Sequence, residues 1–337
     1  MQATKTAEAL AEAGLDVSLT EEPDPDVRTF DVVHAFAARR ESLRRARQSG
    51  AAVVVSPIWV RADYRYMPVR ASVGRLREIE RAARLTHSIV RRGIEETGRR
   101  LRAPLTERSL LFELADLLLP NSKLEAEQIR SDLGVTTPMH VVPNAFDDRT
   151  FTPPGDGARR SGVAYVGRIE PHKNQLGLIR ELAGSGIPLT IAGPTHPDHV
   201  GYDELCRKTA DESVTFLPGG SQWDLRDVYR SARVHVLPSW FETTGLVSLE
   251  AAACGCAVVT TSRGYAREYF GTRAVYCDPG IKGSIRRAVA TALERGPAPS
   301  LRQLVCDRFT WSHTAAATIA GYELALRARS TPRAHYG

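Results

Sequence analysis

The segment VHVLPSWFETTGLVSLEAAACGCAVV, residues 234–259, decides the fold. An apolar run at Val234–Leu237 has the length of a buried strand, and a second such run begins at Ala257. Between the two runs, the loop WFETTG leads into a helical stretch that begins at Gly245. The order strand, helix, strand is typical of a parallel sheet with helices on its faces. The segment therefore predicts an α/β fold.

The same alternation extends through the chain and predicts two doubly wound, Rossmann-like domains. The strands predicted in the C-terminal half are Val163–Val166, Leu189–Ala192, Val214–Leu217, Val234–Leu237, Ala257–Thr260 and Ala274–Cys277. Those predicted in the N-terminal half are Val17–Leu19, Val32–Phe36, Val53–Ser56, Leu117–Leu119 and His140–Val142. The stretch 151–162, rich in proline and glycine, reads as a linker between a domain at 1–150 and a domain at 151–337.

The beginning of the chain departs from this pattern. Residues 2–13 have helical periodicity, whereas a doubly wound domain normally opens with a buried strand. We therefore expect the first strand of the N-terminal domain to be missing. Two explanations stay open: the native start lies upstream, or the fold begins with a helix.

Composition excludes several classes of protein. With 42% hydrophobic and 25% charged residues, the chain is not of the disordered class, and no apolar run has the length of a membrane-spanning helix. The five cysteines lack the spacing of a disulfide framework, and the first residues lack the layout of a secretory signal. We predict a reduced, cytoplasmic protein.

Positive charge is concentrated in a helical insertion at 67–109. This segment contains 11 arginines and five glutamates, which accounts for the net charge of +6. Such a patch attracts phosphates or an anionic membrane face, so peripheral membrane association is one interpretation. A solvated arginine-rich surface is the other. We predict no nucleic-acid partner.

Two cations lie in one loop after a predicted strand. Arg168 follows the strand ending at Val166, and Lys173 precedes the next helix. A guanidinium can fork across phosphate oxygens while an ammonium adds a point charge, which suits a diphosphate leaving group. A pair of solvated surface cations is the alternative.

Two glutamates flank the start of the helix in the opening segment. Glu242 lies in the loop and Glu250 lies a turn and a half into the helix. Their carboxylates can accept hydrogen bonds from sugar and ribose hydroxyls. The backbone N–H groups of Gly245, Leu246 and Val247 would form an anion site at the helix N-terminus.

Other sites are weakly indicated. The chain has neither a Walker loop nor a Gly-x-Gly-x-x-Gly motif, and His196 with His199 lacks a third ligand, so we predict no metal site. In the N-terminal half, His34 and Ser56 lie at strand ends and are candidates for the acceptor side. A core or capping role is the alternative for His34.

Taken in order, these motifs resemble the donor half of retaining glycosyltransferases of family 4, which have the GT-B fold with two domains facing a cleft. The series is Gly167-Arg168, Lys173-Asn174, IAGP at 191–194, VTFLPG at 214–219, LPS at 237–239, and Glu242 with Glu250, followed by Gly264 to Glu268; VVPNAFD at 141–147 is similar to the family's interdomain crossover.

The resemblance implies a role for each residue. The residues that would bind the donor are Gly167, Arg168, Lys173, Gly193, Pro194, Glu242, Thr244, Gly245, Leu246, Val247 and Glu250. Within this set, Arg168 and Lys173 would hold the diphosphate, Glu242 the transferred sugar and Glu250 the ribose. Arg168, Lys173 and Glu242 would also be catalytic. The resemblance also implies retention of configuration, no cofactor and no divalent metal, and a C-terminal helix at 301–327 that crosses back to the first domain.

The chain departs from the family at the acceptor side. The opening strand and its glycine loop are missing, Ala145 stands where a glycine is common, and Ser56-Pro57-Ile58 replaces a frequent histidine. The leading hypothesis is sugar transfer from a nucleotide-sugar to an unidentified acceptor. A catalytically silent nucleotide-sugar binding subunit and a sugar-nucleotide epimerase are the alternatives.

Overall fold

The structure is a computed structural model that describes residues 2–22, 25–36, 39–60, 107–297 and 299–330. Of these residues, those up to 143 and those from 311 onward form one compact unit, unit 1. The described residues from 144 to 310 form a second, unit 2. The division predicted from the sequence, 1–150 and 151–337, thus differs from these units at residues 144–150 and at the last helix.

Unit 1 contains a short parallel sheet. Its strands are β1 (Val32–Ala35), β2 (Ala52–Val55) and β3 (Leu117–Leu118), in the order β1-β2-β3. Its helices are α1 (Gln2–Glu12), α2 (Arg40–Gln48), α3 (Lys123–Leu133) and α11 (Trp311–Ser330). Residues 107–112 are helical as well. The four residues of β2 are all buried, because apolar side chains cover both faces of this strand.

The unit 1 sheet corrects two predicted strands. Val17–Leu19 forms no strand, and Leu19 is 54% exposed. β1 is an edge strand of the described sheet, but residues 17–19 form no ladder with it and lie outside the sheet. A cavity of about 700 Å³ lies here, lined by residues 18–22 and 32–36 among others. His140–Val142 also forms no strand, although His140 N–H donates to the Leu118 carbonyl (2.9 Å).

Unit 2 contains a six-stranded sheet in which every pairing is parallel. Its strands are β4 (Val163–Val166), β5 (Leu189–Ala192), β6 (Val214–Leu217), β7 (Val234–Leu237), β8 (Ala257–Thr261) and β9 (Val275–Cys277). Their order in the sheet is β6-β5-β4-β7-β8-β9. From β4 the chain moves outward to one side through β5 and then returns to place β7 on the other side. The neighbours β4 and β7 therefore mark the topological switch point, where ligands bind on such sheets.

Helices accompany the strands of unit 2. They are α4 (Gln175–Leu182), α5 (Val200–Thr209), α6 (Gln222–Ser231), α7 (Leu246–Ala253), α8 (Ala266–Phe270), α9 (Ser284–Arg295) and α10 (Pro299–Arg308). Successive strand residues enter different apolar clusters: Val258 packs with Leu249 and Phe270, whereas Val259 packs with Ile179 and Ile285. This alternation shows that both faces are covered, which explains why the central strands read as continuous apolar runs.

The predicted C-terminal helix at 301–327 is two helices. α10 ends at Arg308 and α11 begins at Trp311. Between them, the Phe309 carbonyl accepts a hydrogen bond from Phe146 N–H (2.9 Å), and Thr310 forms an isolated bridge with Phe146. These residues pair with another segment and so cannot continue the helix. None of the described helices is long and apolar enough to cross a membrane. The predicted insertion 67–109 lies outside the described residues except for 107–109.

Candidate active site

The loop after β4 passes very close to the loop after β5. Gly167 and Gly193 have φ angles of 146° and 150°, which side chains rarely adopt. A Cβ on Gly193 would also collide with the carbonyl oxygen of Gly167. Gly167 N–H donates to the Ala192 carbonyl (2.9 Å), and Pro194 is exposed beyond this contact. Glycine at both positions is thus a steric requirement of the predicted donor loop.

Three hydrogen bonds to backbone carbonyls join the loops after β4 and β7. Trp240 N–H donates to the His172 carbonyl (2.9 Å), and the His172 Nε2–H donates to the Phe241 carbonyl (2.9 Å). Asn174 Nδ2 donates to the Pro238 carbonyl (3.2 Å). Burial, followed by the Lys173 charge, lowers the pKa of His172, so its imidazole is neutral at pH 7. The two loops at the switch point therefore form one structure.

This junction brings Lys173 and Glu242 into contact. Lys173 Nζ lies 2.9 Å from Glu242 Oε2, and the side chains are only 22% and 10% exposed. The Glu242 backbone is fixed as well, because its N–H donates to the Arg263 carbonyl (3.1 Å) and its carbonyl accepts from Tyr265 N–H (2.9 Å). A side chain on Gly264 would collide with that carbonyl. A cation and a carboxylate thus face each other where the loops of the two central strands meet.

α7 begins at Leu246, four residues after Glu242. Gly245 is the N-cap residue, with a φ of 75° and no side-chain cap. The first N–H groups of a helix, here those of Leu246 and Val247, have no partner within the helix and attract anions. Thr244 Oγ1 accepts a hydrogen bond from Asn144 Nδ2 (2.9 Å). This end of α7 can therefore accept a phosphate group.

Glu250 lies further along α7 in a buried position. Its side chain is almost enclosed, and Oε2 accepts a hydrogen bond from the Tyr229 hydroxyl of α6 (3.0 Å). Burial raises the pKa of Glu250 to about 7, and the nearby Asp147 charge adds to the rise. The carboxyl group therefore changes its protonation state near neutral pH.

Arg168 is placed differently from Lys173. Its side chain is 60% exposed, and Nη2 lies 3.8 Å from Glu170 Oε1. The structure brings Lys173 together with Glu242 rather than with Arg168. Since the guanidinium is solvated, its attraction to an anion is screened more than that of Lys173.

The acceptor-side candidates His34 and Ser56 meet in unit 1. His34 Nε2 and Ser56 Oγ lie 2.8 Å apart, and His34 Nδ1 lies 2.9 Å from the Tyr322 hydroxyl of α11. Both ring nitrogens are thus engaged by protein groups. Burial lowers the pKa of His34 to about 3, so the imidazole is neutral at physiological pH. This arrangement fits the core or capping alternative.

Three residues of the site carry no sequence signal that would have indicated them. Tyr229 reaches Glu250, His172 joins the two central loops, and Asn144 bonds Thr244. Asn144 and Thr244 are far apart in sequence, so only the tertiary fold brings them together. In the part of the chain that the structure describes, no group of three or more His, Cys, Asp or Glu side chains could hold a metal ion.

Comparison with known proteins shows what unit 2 is similar to. Residues 156–304 match the family described as Glycosyl transferases group 1. Most of unit 2 thus resembles a group 1 glycosyltransferase domain. The chain is 33% identical over 239 residues to the D-inositol 3-phosphate glycosyltransferase of Mycolicibacterium smegmatis, a match that covers 63% of this chain and 54% of that protein. It is 36% identical over 222 residues to the protein of the same name from Mycobacterium sp. strain KMS, covering 59% and 49%. The chain thus spans about half the length of the curated relatives it matches.

Solved structures extend the likeness to most of the chain. Sucrose-phosphate synthase from Thermosynechococcus elongatus is similar with a TM-score of 0.71 at 18% identity, covering 89% of this chain and 74% of that one. Anabaena Alr3699/HepE, crystallised with UDP and glucose, is similar with a TM-score of 0.64 at 16% identity, covering 94% and 80%. These structural neighbours confirm the predicted GT-B, α/β fold class.

Proposed function

We propose that this chain is a group 1 glycosyltransferase, which moves a sugar from a nucleoside-diphosphate sugar to an acceptor and retains the configuration at the anomeric carbon. One observation carries the proposal: Lys173 and Glu242 are in contact at the switch point of a parallel sheet, immediately before the uncapped N-terminus of α7. A cation, a hydroxyl-binding carboxylate and an anion site are the three features that a sugar diphosphate requires.

The diphosphate would bind to the basic loop and to α7. Lys173 would neutralise charge on the phosphate from which the sugar departs, and Arg168 would add a weaker contact from the solvated side. The N–H groups after Thr244 would donate to a phosphate oxygen. Gly167, Gly193 and Pro194 would form the wall beside it, because the close approach of the two loops leaves no side chain there except the proline ring.

The sugar and the ribose would each meet one glutamate. Glu242 is fixed through its backbone and can accept hydrogen bonds from sugar hydroxyls. Lys173 has three donors, so its ammonium can contact Glu242 and a phosphate oxygen at the same time. Glu250 would accept a hydrogen bond from a ribose hydroxyl.

The transfer itself needs no covalent contribution from the protein. The acceptor oxygen forms a bond to the anomeric carbon on the face from which the sugar–phosphate bond breaks, and the acceptor proton passes to the departing phosphate oxygen. Charge therefore builds on the diphosphate, where Lys173 and the α7 N-terminus stabilise it. We propose that these groups replace a divalent metal, and that no further cofactor takes part.

The acceptor is open, and the curated relatives suggest the first one to test. Their shared name is D-inositol 3-phosphate glycosyltransferase, so inositol 3-phosphate belongs in the panel. The His34–Ser56 pair is too fully hydrogen-bonded to propose as an acceptor base. A cytoplasmic location and binding of 67–109 to an anionic membrane face stay predictions, and salt-sensitive binding to acidic vesicles would test the second.

The experiment combines UDP-, GDP- and ADP-sugars with and without inositol 3-phosphate, in buffer with and without EDTA. Acceptor-dependent release of nucleotide, unchanged by EDTA, is expected, together with an NMR coupling constant that shows the donor's anomeric configuration in the product. An inverted product would overturn retention, and loss of activity with EDTA would overturn metal independence. Nucleotide binding without turnover of any donor would favour the silent binding subunit. Interconversion of a donor sugar without acceptor would favour the epimerase.

A further inference from the structure

A buried tyrosine lies against the carboxylate that we assign to the ribose. Tyr229 belongs to the last turn of α6 and has no exposed surface. Its hydroxyl donates to Oε2 of Glu250, which is 8% exposed. The bond joins α6 to α7, helices that are consecutive along the chain although the strands before them, β6 and β7, are not neighbours in the sheet.

Tyr229 is held in place from several sides. Its ring makes edge contacts with Phe151 (5.9 Å between ring centroids) and His235 (5.6 Å). Its backbone carbonyl accepts hydrogen bonds from Arg160 Nη2 (3.0 Å) and from the Cys256 thiol (3.1 Å). The hydroxyl therefore has one position, and that position is set by the core of unit 2.

The remaining carboxylate oxygen is available. No described group donates a hydrogen bond to Oε1 of Glu250, and an ionised carboxylate can accept at both oxygens. We propose that Tyr229 is a positioning residue for nucleotide recognition, which holds Oε2 of Glu250 so that Oε1 accepts a hydrogen bond from a ribose hydroxyl. The proposal rests on the function proposed above and adds to it a residue with a separate role.

The charge on Glu250 gives the proposal a measurable signature. Other titratable or charged groups nearby are Asp147, Arg160, Arg230, His235, Cys254, Cys256 and Arg302. Burial holds the pKa of Glu250 at about 7, and the hydrogen bond from Tyr229 works against this rise by stabilising the ionised form. Without the hydroxyl, the carboxyl group stays protonated to higher pH and becomes a weaker acceptor.

The test measures binding of UDP, GDP and ADP by calorimetry between about pH 6 and about pH 9. Wild-type protein, Tyr229→Phe, Glu250→Gln and Tyr276→Phe are compared. Tyr276 is the matched control, because its hydroxyl also donates a hydrogen bond, to the Gly271 carbonyl (2.8 Å), but it belongs to β9 and has no bond to Glu250. Circular dichroism checks that each variant is folded.

For Tyr229→Phe we expect about tenfold weaker binding at pH 7, a midpoint of the pH profile about one unit higher, and only partial recovery at the highest pH, because the ionised carboxylate is no longer held by the hydroxyl. Glu250→Gln should bind the nucleotides weakly, with no midpoint in its pH profile. Tyr276→Phe should match wild type. A wild-type profile that Glu250→Gln does not flatten, or an unshifted Tyr229→Phe midpoint, overturns this inference alone. If Tyr229→Phe does not fold, a wild-type profile that Glu250→Gln does not flatten still overturns the inference. Wild-type protein that binds none of the three nucleotides overturns the proposed function as well.

Discussion

The crevice of unit 2 and the His34–Ser56 pair of unit 1 are built in the same way but differ in what they leave available. Each brings polar side chains together from neighbouring parallel strands. In unit 2, Lys173 and Glu242 engage each other and keep further donors and acceptors for a ligand. In unit 1, the two nitrogens of His34 are both occupied by hydroxyls. Nearness at strand ends therefore identifies candidates, and unused hydrogen-bonding capacity separates binding groups from structural ones.

The largest effect should come from Lys173→Ala, which tests the unit 2 side of the comparison. The ammonium stabilises charge that develops on the leaving phosphate. We therefore expect the activation free energy of turnover to rise by about 2 to 4 kcal/mol, with a smaller loss in nucleotide affinity. Single-turnover rates and titration with the nucleoside diphosphate separate the two. Lys208→Ala, an exposed lysine on α5, is the control. Equal losses in rate and affinity would contradict the assigned role.

Glu250→Gln should impair function while stabilising the fold. The pKa of Glu250 is raised from 4.5 to about 7, so its contribution to stability is complete below pH 4.5 and is lost as the pH rises through 7. Removing the ionisable group should therefore raise the free energy of unfolding by about 3 kcal/mol at pH 8 and by little near pH 4.5. Urea unfolding at both pH values measures this. Glu204→Gln, at an exposed position on α5, should change neither value.

His34→Ala tests the unit 1 side, with stability lost and function kept. Two hydroxyls lose their partner, so we expect the free energy of unfolding to fall by about 2 kcal/mol. The pKa of His34 is depressed from 6.5 to about 3, so its contribution is present above pH 6.5 and is lost as the pH falls towards 3. As the pH falls from 6.5 towards 3, the free energy of unfolding should therefore decrease less for the variant than for wild-type protein. His140→Ala in the same unit is the control, and a turnover loss as large as that of Lys173→Ala would break the comparison.

Arg168→Ala should have the smallest effect. Its side chain is 60% exposed, so we expect about a tenfold loss in kcat/KM that shrinks as salt is added. The loss from Lys173→Ala should depend much less on salt, because Lys173 is largely buried. Kinetics at low and high ionic strength provide the measurement, with Arg180→Ala, exposed on α4, as the control. A salt-independent loss would mean that Arg168 closes onto the ligand.

Much of unit 2 could be predicted because its sequence pattern and its burial agree. Four strands begin and end at the predicted residues, from Val163–Val166 to Val234–Leu237. β8 and β9 differ by one residue at one end. A parallel strand buried on both faces reads as an unbroken apolar run, and glycines and prolines mark its ends. The loop positions of Arg168, Lys173 and Glu242 followed from the strand ends.

Unit 1 could be predicted less well, because two segments with the sequence pattern of a strand, 17–19 and 140–142, do not form strands. Val17–Leu19 has the composition of a strand, but strand formation depends on a neighbouring backbone that the local sequence does not encode.

Contacts between distant parts of the sequence also could not be predicted. The break between α10 and α11 depends on pairing with Phe146, far away in the sequence. For the same reason Tyr229 could not be assigned to the site: its partner is set by how α6 and α7 pack.

The three hydrogen bonds to backbone carbonyls that join the loops after β4 and β7 also affect the free energy of binding. Fixing the backbone of one residue costs roughly 1–2 kcal/mol of conformational entropy. For His172, Asn174 and Trp240, hydrogen bonds within the protein fix the loops when the chain folds, so this entropy is lost before any ligand binds. A ligand entering this crevice does not have to order the two loops, so more of its contact energy remains as affinity. The two loops therefore form a binding site that is already ordered before the ligand binds.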